Sequence, residues 1–359
     1  MLLKTGLLLV LASASVPLRG QALHPPILDT VYDSRQHALR PIIGSLGAGI
    51  VGAAIDAGMP LLLAEVSSAG NFALAVNRDD GGVFILKTLS GGITSSPVSA
   101  PARPGMISLS PTGQSAVLYY AGNHILIVLS GLPDNPRVTR SVSLAGAGGL
   151  AGNPSPGKLA VSDDGEALAA YVNPGRLSPL SADAEPASTG QPVPGGLYVD
   201  LSGVLRRVEL TRVSAFAFTE GGHDLLIADS AGNRLVRANT GLEGMPLTTL
   251  ADTAAAGITG VAVSAGNARM FTVSGIGEVS EWDAQNSQLR LVASCACKPE
   301  GLFKMAGRAR FRLNRLSAAP LWVFDGDSDS PRTVFLPIDD VTDPTLQPAE
   351  SQPAAERRP

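Results

Sequence analysis

The stretch GAGIVG, residues 47–52, spaces Gly47, Gly49 and Gly52 as in the turn that cradles a dinucleotide pyrophosphate. That chemistry needs a strand before the glycines and a helix after them, in a crossover of at least about a dozen residues. Only seven residues separate Gly52 from Pro60, and Gly58 interrupts them, so the spacing argues for a glycine-rich connection and against a flavin or nicotinamide site. Cys295 and Cys297, the only cysteines, form CAC. An even pair can oxidise, but a bridge closing so small a ring is strained and reducible. A structural disulfide, free or intermolecular thiols and a redox pair all stand as readings, whereas two thiolates without a nearby histidine make no zinc site.

Asp325, Asp327 and Asp329 in DGDSDS alternate as in the first half of a calcium loop, yet the place of its bidentate glutamate holds Leu336. The run reads as a solvated hairpin turn. In RARFRLNR, Arg308, Arg310 and Arg312 fall on one face of a strand and Ala309, Phe311 and Leu313 on the other. Such a row either spreads over apolar surface with its charged heads in water or docks an acidic partner. The four histidines, His24, His37, His124 and His223, are scattered. Gly-x-Ser-x-Gly, His-Glu-x-x-His and Walker patterns are all missing. These residues name no catalytic group, no metal ligand and no cofactor.

The elements that must position them follow from a repeat. An apolar strand, a short Ser/Thr turn with glycine and a second apolar strand recur as LLLAEVSSAGNFALAV, MISLSPTGQSAVLYY, KLAVSDDGEALAAYV, AFAFTEGGHDLLIAD, GVAVSAGNARMFTV and GLFKMAGRARFRLN. Their turn glycines, Gly70, Gly113, Gly165, Gly222, Gly266 and Gly307, lie 43, 52, 57, 44 and 41 residues apart, a period that points to four-stranded propeller blades. A second hairpin follows each copy, and TVYDSRQHALRPII (30–43) matches SEWDAQNSQLRLVA (280–293) with the same loop length. Both read as third and fourth strands, which makes ALRPIIG an outer strand and the glycine run a path inward. The expectation is an all-β protein, a β-propeller of six or seven four-stranded blades over residues 27–338. Seven outer hairpins against six inner ones fit a six-bladed ring with an accessory hairpin or a seven-bladed ring with one incomplete blade.

The repeat resembles the WD40-like and YVTN-type propellers of bacterial exported proteins, although Trp282-Asp283 is the one Trp-Asp pair and the YVTN tetrapeptide does not occur. The resemblance implies a ring around a central channel whose faces bind something, and equally admits lactonase-like or quinone-dependent enzymes, because a fold does not select a function. The expected innermost strands, LLLAEV, MISLS, KLAVS, AFAFT, GVAVS and LFKMA, offer Glu65, Lys158 and Lys304 as their charges. One glutamate cannot assemble an oxygen-rich metal site. The reading is therefore a scaffold for an unknown protein, peptide or glycan, with Glu65 and the Arg308/Arg310/Arg312 row as the candidate surface.

Composition agrees with many short elements joined by tight turns: 40 glycines, 27 prolines and 16% charged residues. A net charge of −4 without a basic run gives nucleic acid no footprint. Residues 1–22 carry an early Lys4, an apolar run over 7–12 and small-x-small sites ending at Ala14 and Ala22, as a secretory signal peptide does. That run is far short of the roughly 20 residues of a membrane span. The expectation is an exported chain, periplasmic or extracellular, cleaved after Ala14 or Ala22. Residues 173–196 read as a mobile loop and 339–359 as a disordered tail.

Overall fold

The computed structural model describes residues 26–89, 92–145, 154–173, 195–201, 203–210, 212–252, 257–316 and 320–339. Most of 173–196, all but the first residue of 339–359, and the whole 1–22 segment lie outside them. The described residues form seven antiparallel sheets, six of four strands and one of three, arranged as propeller blades. Within each four-stranded blade the strands follow one another in chain order, and the first hairpin turns on the Ser/Thr-Gly motif in every one but the seventh, where Met305-Ala306-Gly307 keeps only the glycine. Gly113, at φ 79°, shows why glycine is required there: the left-handed backbone is strained for other residues, and an added Cβ would approach Ser67 Cβ at 3.2 Å. In the fifth blade the left-handed residue is Gly221 (φ 61°), one position earlier than the repeat alignment placed it.

The core is divided among the blade junctions. Seven apolar clusters each draw on two neighbouring sheets. Leu74 and Ile85 of the second blade meet Leu118 and Leu129 of the third, for example, and Phe271 of the sixth stacks edge-on with Phe324 of the seventh at 5.2 Å. Seven such junctions close the ring, which removes the open sheet edges that invite aggregation. Alternation puts both faces of the second and third strands into these clusters, so SAVLYY (115–120) is buried at every position.

The incomplete blade is the first. Its strands β1 (Ile27–Asp33), β2 (Ala38–Ile43) and β3 (Ile50–Val51) form the three-stranded sheet. Here the sequence expectation needs correction: ALRPII is not an outer strand, because the glycine run does not simply carry the chain inward. Gly44 (φ 104°) and Gly47 (φ 98°) turn the chain back, and Ile50–Val51 of GAGIVG pairs outside β2. The glycine fingerprint thus opens no helix, and the segment after it forms only a bridge from Ile55 to Leu39.

The C-terminal segment completes this sheet on its outer side. Val51 donates to Pro337 O and accepts from Asp339 N, both at 2.9 Å, so the last described residues run parallel to β3. Arg40, 2% exposed, locks that closure: Nε donates to Gly52 O at 2.7 Å, Nη2 to Asp339 O at 2.9 Å, and Nη1 faces Asp33 Oδ2 at 3.3 Å. What the first blade lacks is an inner strand. β1 corresponds to a second strand elsewhere: Tyr32 hydroxyl bonds His37 Nδ1 and Leu62 O, as Tyr119 hydroxyl bonds His124 Nδ1 and Pro154 O. Both histidines close their hairpins at φ 52°.

Candidate functional site

The six inner strands line one central cavity of about 730 Å³. They are the six strands expected from the repeat, and Glu65, Lys158 and Lys304 all reach the cavity wall. Two further cations stand in it: Arg312, from the arginine row of RARFRLNR, and Arg315, which the sequence pattern did not single out. Arg312 ends the second strand of the seventh blade (Arg310–Arg312), a position that in a complete ring packs between blades. It reaches the lumen because the neighbouring first blade has no inner strand to cover it. Arg315 belongs to the connection that follows, where Leu316 bridges to Asp33 and its carbonyl accepts from Ser34 N at 3.4 Å. That short connection and the guanidiniums occupy the side of the channel where a seventh inner strand would lie.

Around the channel mouth nearest the glycine turns, neighbouring blades are tied turn to turn. Ser68 Oγ donates to Pro111 O at 2.7 Å, and Thr112 N and Oγ1 donate to Asp163 Oδ1 at 2.8 and 2.6 Å. Gly221 N donates to Asp163 Oδ2 at 2.8 Å, Asn267 Nδ2 to Glu220 O at 2.8 Å, and Ala265 N to Arg308 O at 2.7 Å. The first blade has no such turn, and one carboxylate takes its place. Asp29 Oδ2 accepts from Ala306 N at 3.2 Å on the seventh blade, and Oδ1 lies 2.9 Å from where a Cβ on Gly70 of the second blade would sit.

Charge in the lumen is unevenly matched. Burial pushes the Asp29 carboxyl up to about 6 against the opposing pull of Arg312, and burial likewise pushes Glu65 up against Arg315 and Arg312. Arg312 is thus flanked by two carboxylates, and desolvation lowers its own pKa. Lys304 is paired with Glu220. Lys158 has a different environment: its Nζ donates to two main-chain carbonyls, Ser214 O at 2.7 Å and Thr259 O at 3.4 Å. Burial, then the Arg315 charge, pull its pKa down. Arg315 and Arg312 both stand over the Phe303 ring, at 5.4 and 5.6 Å, which orients the two guanidiniums.

The arginine row expected from RARFRLNR does not make one surface. Arg310 is drawn to Asp325 (3.3 Å) and Asp327 (3.4 Å), Arg308 lies beyond the end of the strand, and Arg312 alone enters the channel. The aspartates of DGDSDS serve the same hairpin: Asp327 accepts from Arg308 N at 3.0 Å and Ala309 N at 2.6 Å. Cys295 and Cys297 are joined as a disulfide at the end of the sixth blade's outer strand, half-buried against the junction that holds Phe271 and Phe311. His223 bonds Asp164 at 2.6 Å across a blade junction, and among the described residues no three His, Cys, Asp or Glu side chains converge as a metal group.

No family model matches this sequence, and no curated protein matches it significantly. A solved structure described as a functionally unknown protein from Desulfotomaculum acetoxidans DSM 771 superposes with a TM-score of 0.52, covering 86% of this chain and 99% of its own. The two share 12% sequence identity, so the likeness shows the propeller fold and carries no function.

Proposed function

We propose that this protein is a binding propeller that works by receiving a ligand, or the tip of a partner, in its central channel. The observation that carries this reading is the cavity of about 730 Å³ onto which the charged groups absent from the rest of the inner wall converge. Its volume lies in the usual range of small-molecule sites, roughly 300–1,000 Å³. We propose that it exercises that role outside the cytoplasm, the kind of compartment in which a disulfide such as Cys295–Cys297 persists.

The reading is tested by closing the channel. Leu62 is 39% exposed at the cavity wall, and both native cysteines are bonded, so Leu62→Cys introduces a single free thiol. Labelling it with a bulky maleimide should abolish ligand-induced thermal shifts that the unlabelled variant retains. Substrate turnover that survives purification and is lost in Glu65→Ala would overturn the binding reading in favour of an enzyme.

A further inference from the structure

The absent inner strand of the first blade leaves more than space. It exposes, on one side of the channel, two guanidiniums whose planes are held by Phe303, with Lys158 close enough for Arg315 to act on its charge. Arg312 is answered by Asp29 and Glu65, and Lys304 by Glu220. Lys158 is bonded to neutral carbonyls alone among its described contacts, and Arg315 stands over the ring of Phe303 and shares Glu65, the one carboxylate it acts on, with Arg312. Lys158 and Arg315 line the same partly desolvated lumen and repel each other, and an anion in that lumen relieves the repulsion while accepting charge-assisted hydrogen bonds. A chain with net charge −4 gains nothing from such a pair by way of general solubility.

The rest of the wall says what the anion is attached to. Leu63, Met106, Leu109 and Phe216 are half-buried and line the same cavity, so the space beside the cations is largely apolar. We infer that the channel is an anion site, in which Lys158 of the fourth blade and Arg315 at the gap in the first, supported by Arg312, hold the carboxylate, sulfate or phosphate head of a small molecule whose apolar body lies along the channel. Arginine supplies a planar fork suited to such oxyanions and lysine a point charge, which together fix the head from two sides. This rests on the channel being the binding site, as proposed above, and adds the class of ligand.

Calorimetric titration tests it with inorganic phosphate, sulfate, hexanoate and uncharged hexanol, each at one ionic strength set with chloride. Saturable binding of one equivalent of hexanoate, phosphate or sulfate is expected, weakened about tenfold or more in Lys158→Gln and in Arg315→Gln. Lys158→Arg should restore most of it and Arg308→Gln should leave it unchanged. Tighter binding of hexanoate than of the inorganic ions would assign the head as a carboxylate on an apolar body, and the reverse order a phosphate or sulfate. Anion binding that is indifferent to both Gln variants overturns the site. Hexanol binding without any anion binding overturns the ligand class alone, whereas no binding by any probe, in a protein whose melting is unchanged by labelling Leu62→Cys, overturns the channel reading with it.

Discussion

The first and third blades carry the same hairpin chemistry and differ in what lies inside it. Tyr119 and His124 in one, Tyr32 and His37 in the other, tie the second strand to the next blade through a tyrosine hydroxyl. Inside Ser115–Tyr120 the third blade has a full inner strand, Met106–Leu109, whose turn is bound by the next blade. Inside β1 the first blade has Asp29, the Arg315–Leu316 connection and open lumen. The difference teaches that a propeller can forgo an inner strand when other groups hold the blade in the ring. Asp29 takes the place of the turn-to-turn bonds, while Arg40 and the C-terminal segment secure the blade at its outer edge. The vacancy then becomes the part of the channel that carries chemistry.

The sharpest way to break that substitution is at Arg40. Arg40→Met keeps the bulk but leaves Asp33, 3% exposed, without its charge partner and Asp339 O without a donor. Removing one member of a buried pair costs about 3–5 kcal/mol, and urea unfolding should show a loss of that size. Closure of the ring depends on this blade, so the loss should appear as a lower midpoint of the whole transition. A separate early transition confined to the first blade would show that the remaining six sheets hold without it.

A smaller effect is expected at Asp29, and its sign follows from burial. The folded carboxyl titrates at about 6 against an ordinary 3.8, so the folded state binds this proton more tightly than the unfolded one. Its contribution to stability is complete below about 3.8 and is lost as the pH rises through about 6, up to about 3 kcal/mol over that window. Glu65, pushed in the same direction by burial, adds to the trend. Asp29→Asn keeps an acceptor for Ala306 N and removes the charge, so its melting temperature should vary less between pH 4.5 and 7.5 than that of the parent. If the two proteins show the same pH slope, Asp29 is not the titrating group and the carboxylate-for-turn argument loses its electrostatic half.

How much of this was legible differs between the two blades. The third was readable residue by residue, because apolar alternation and a glycine turn recur at a period that only blades explain, and all six inner strands fall where the pattern put them. The first was misread by one strand position. TVYDSRQHALR matches SEWDAQNSQLR in its aromatic-Asp and Leu-Arg pairs and in loop length, and the structure shows that both hairpins close on a left-handed residue, His37 at φ 52° and Ser287 at φ 51°. The same turn serves second-to-third and third-to-fourth hairpins, so local similarity cannot report which strand of the blade it joins. The matching signal was Tyr32 and His37 against Tyr119 and His124, five residues apart in each. Arg312 is legible as a candidate binding residue but not as a channel residue, and Arg315 is not legible at all, for a related reason: their entry into the channel depends on a strand that is missing far earlier in the chain, which no local pattern records.

The finest test of the comparison uses the two tyrosines. Tyr119 is 3% exposed and donates to Pro154 O at 2.9 Å in a buried junction, whereas Tyr32 donates to Leu62 O at 2.8 Å beside the open channel. Tyr119→Phe takes the hydroxyl donor from a buried carbonyl, leaving it His124 Nδ1 at 3.1 Å, and should cost about 1 kcal/mol. Tyr32→Phe frees a carbonyl that channel water can reach, so its cost should be a fraction of that. The ratio measures directly how wet the gap in the first blade is. Equal losses would mean that the lumen beside β1 is as dry as a complete junction, and an anion could then enter only by displacing protein contacts. A near-zero cost at Tyr32 beside a full cost at Tyr119 would establish the gap as solvent-filled space, ready for a ligand head to take the place of water.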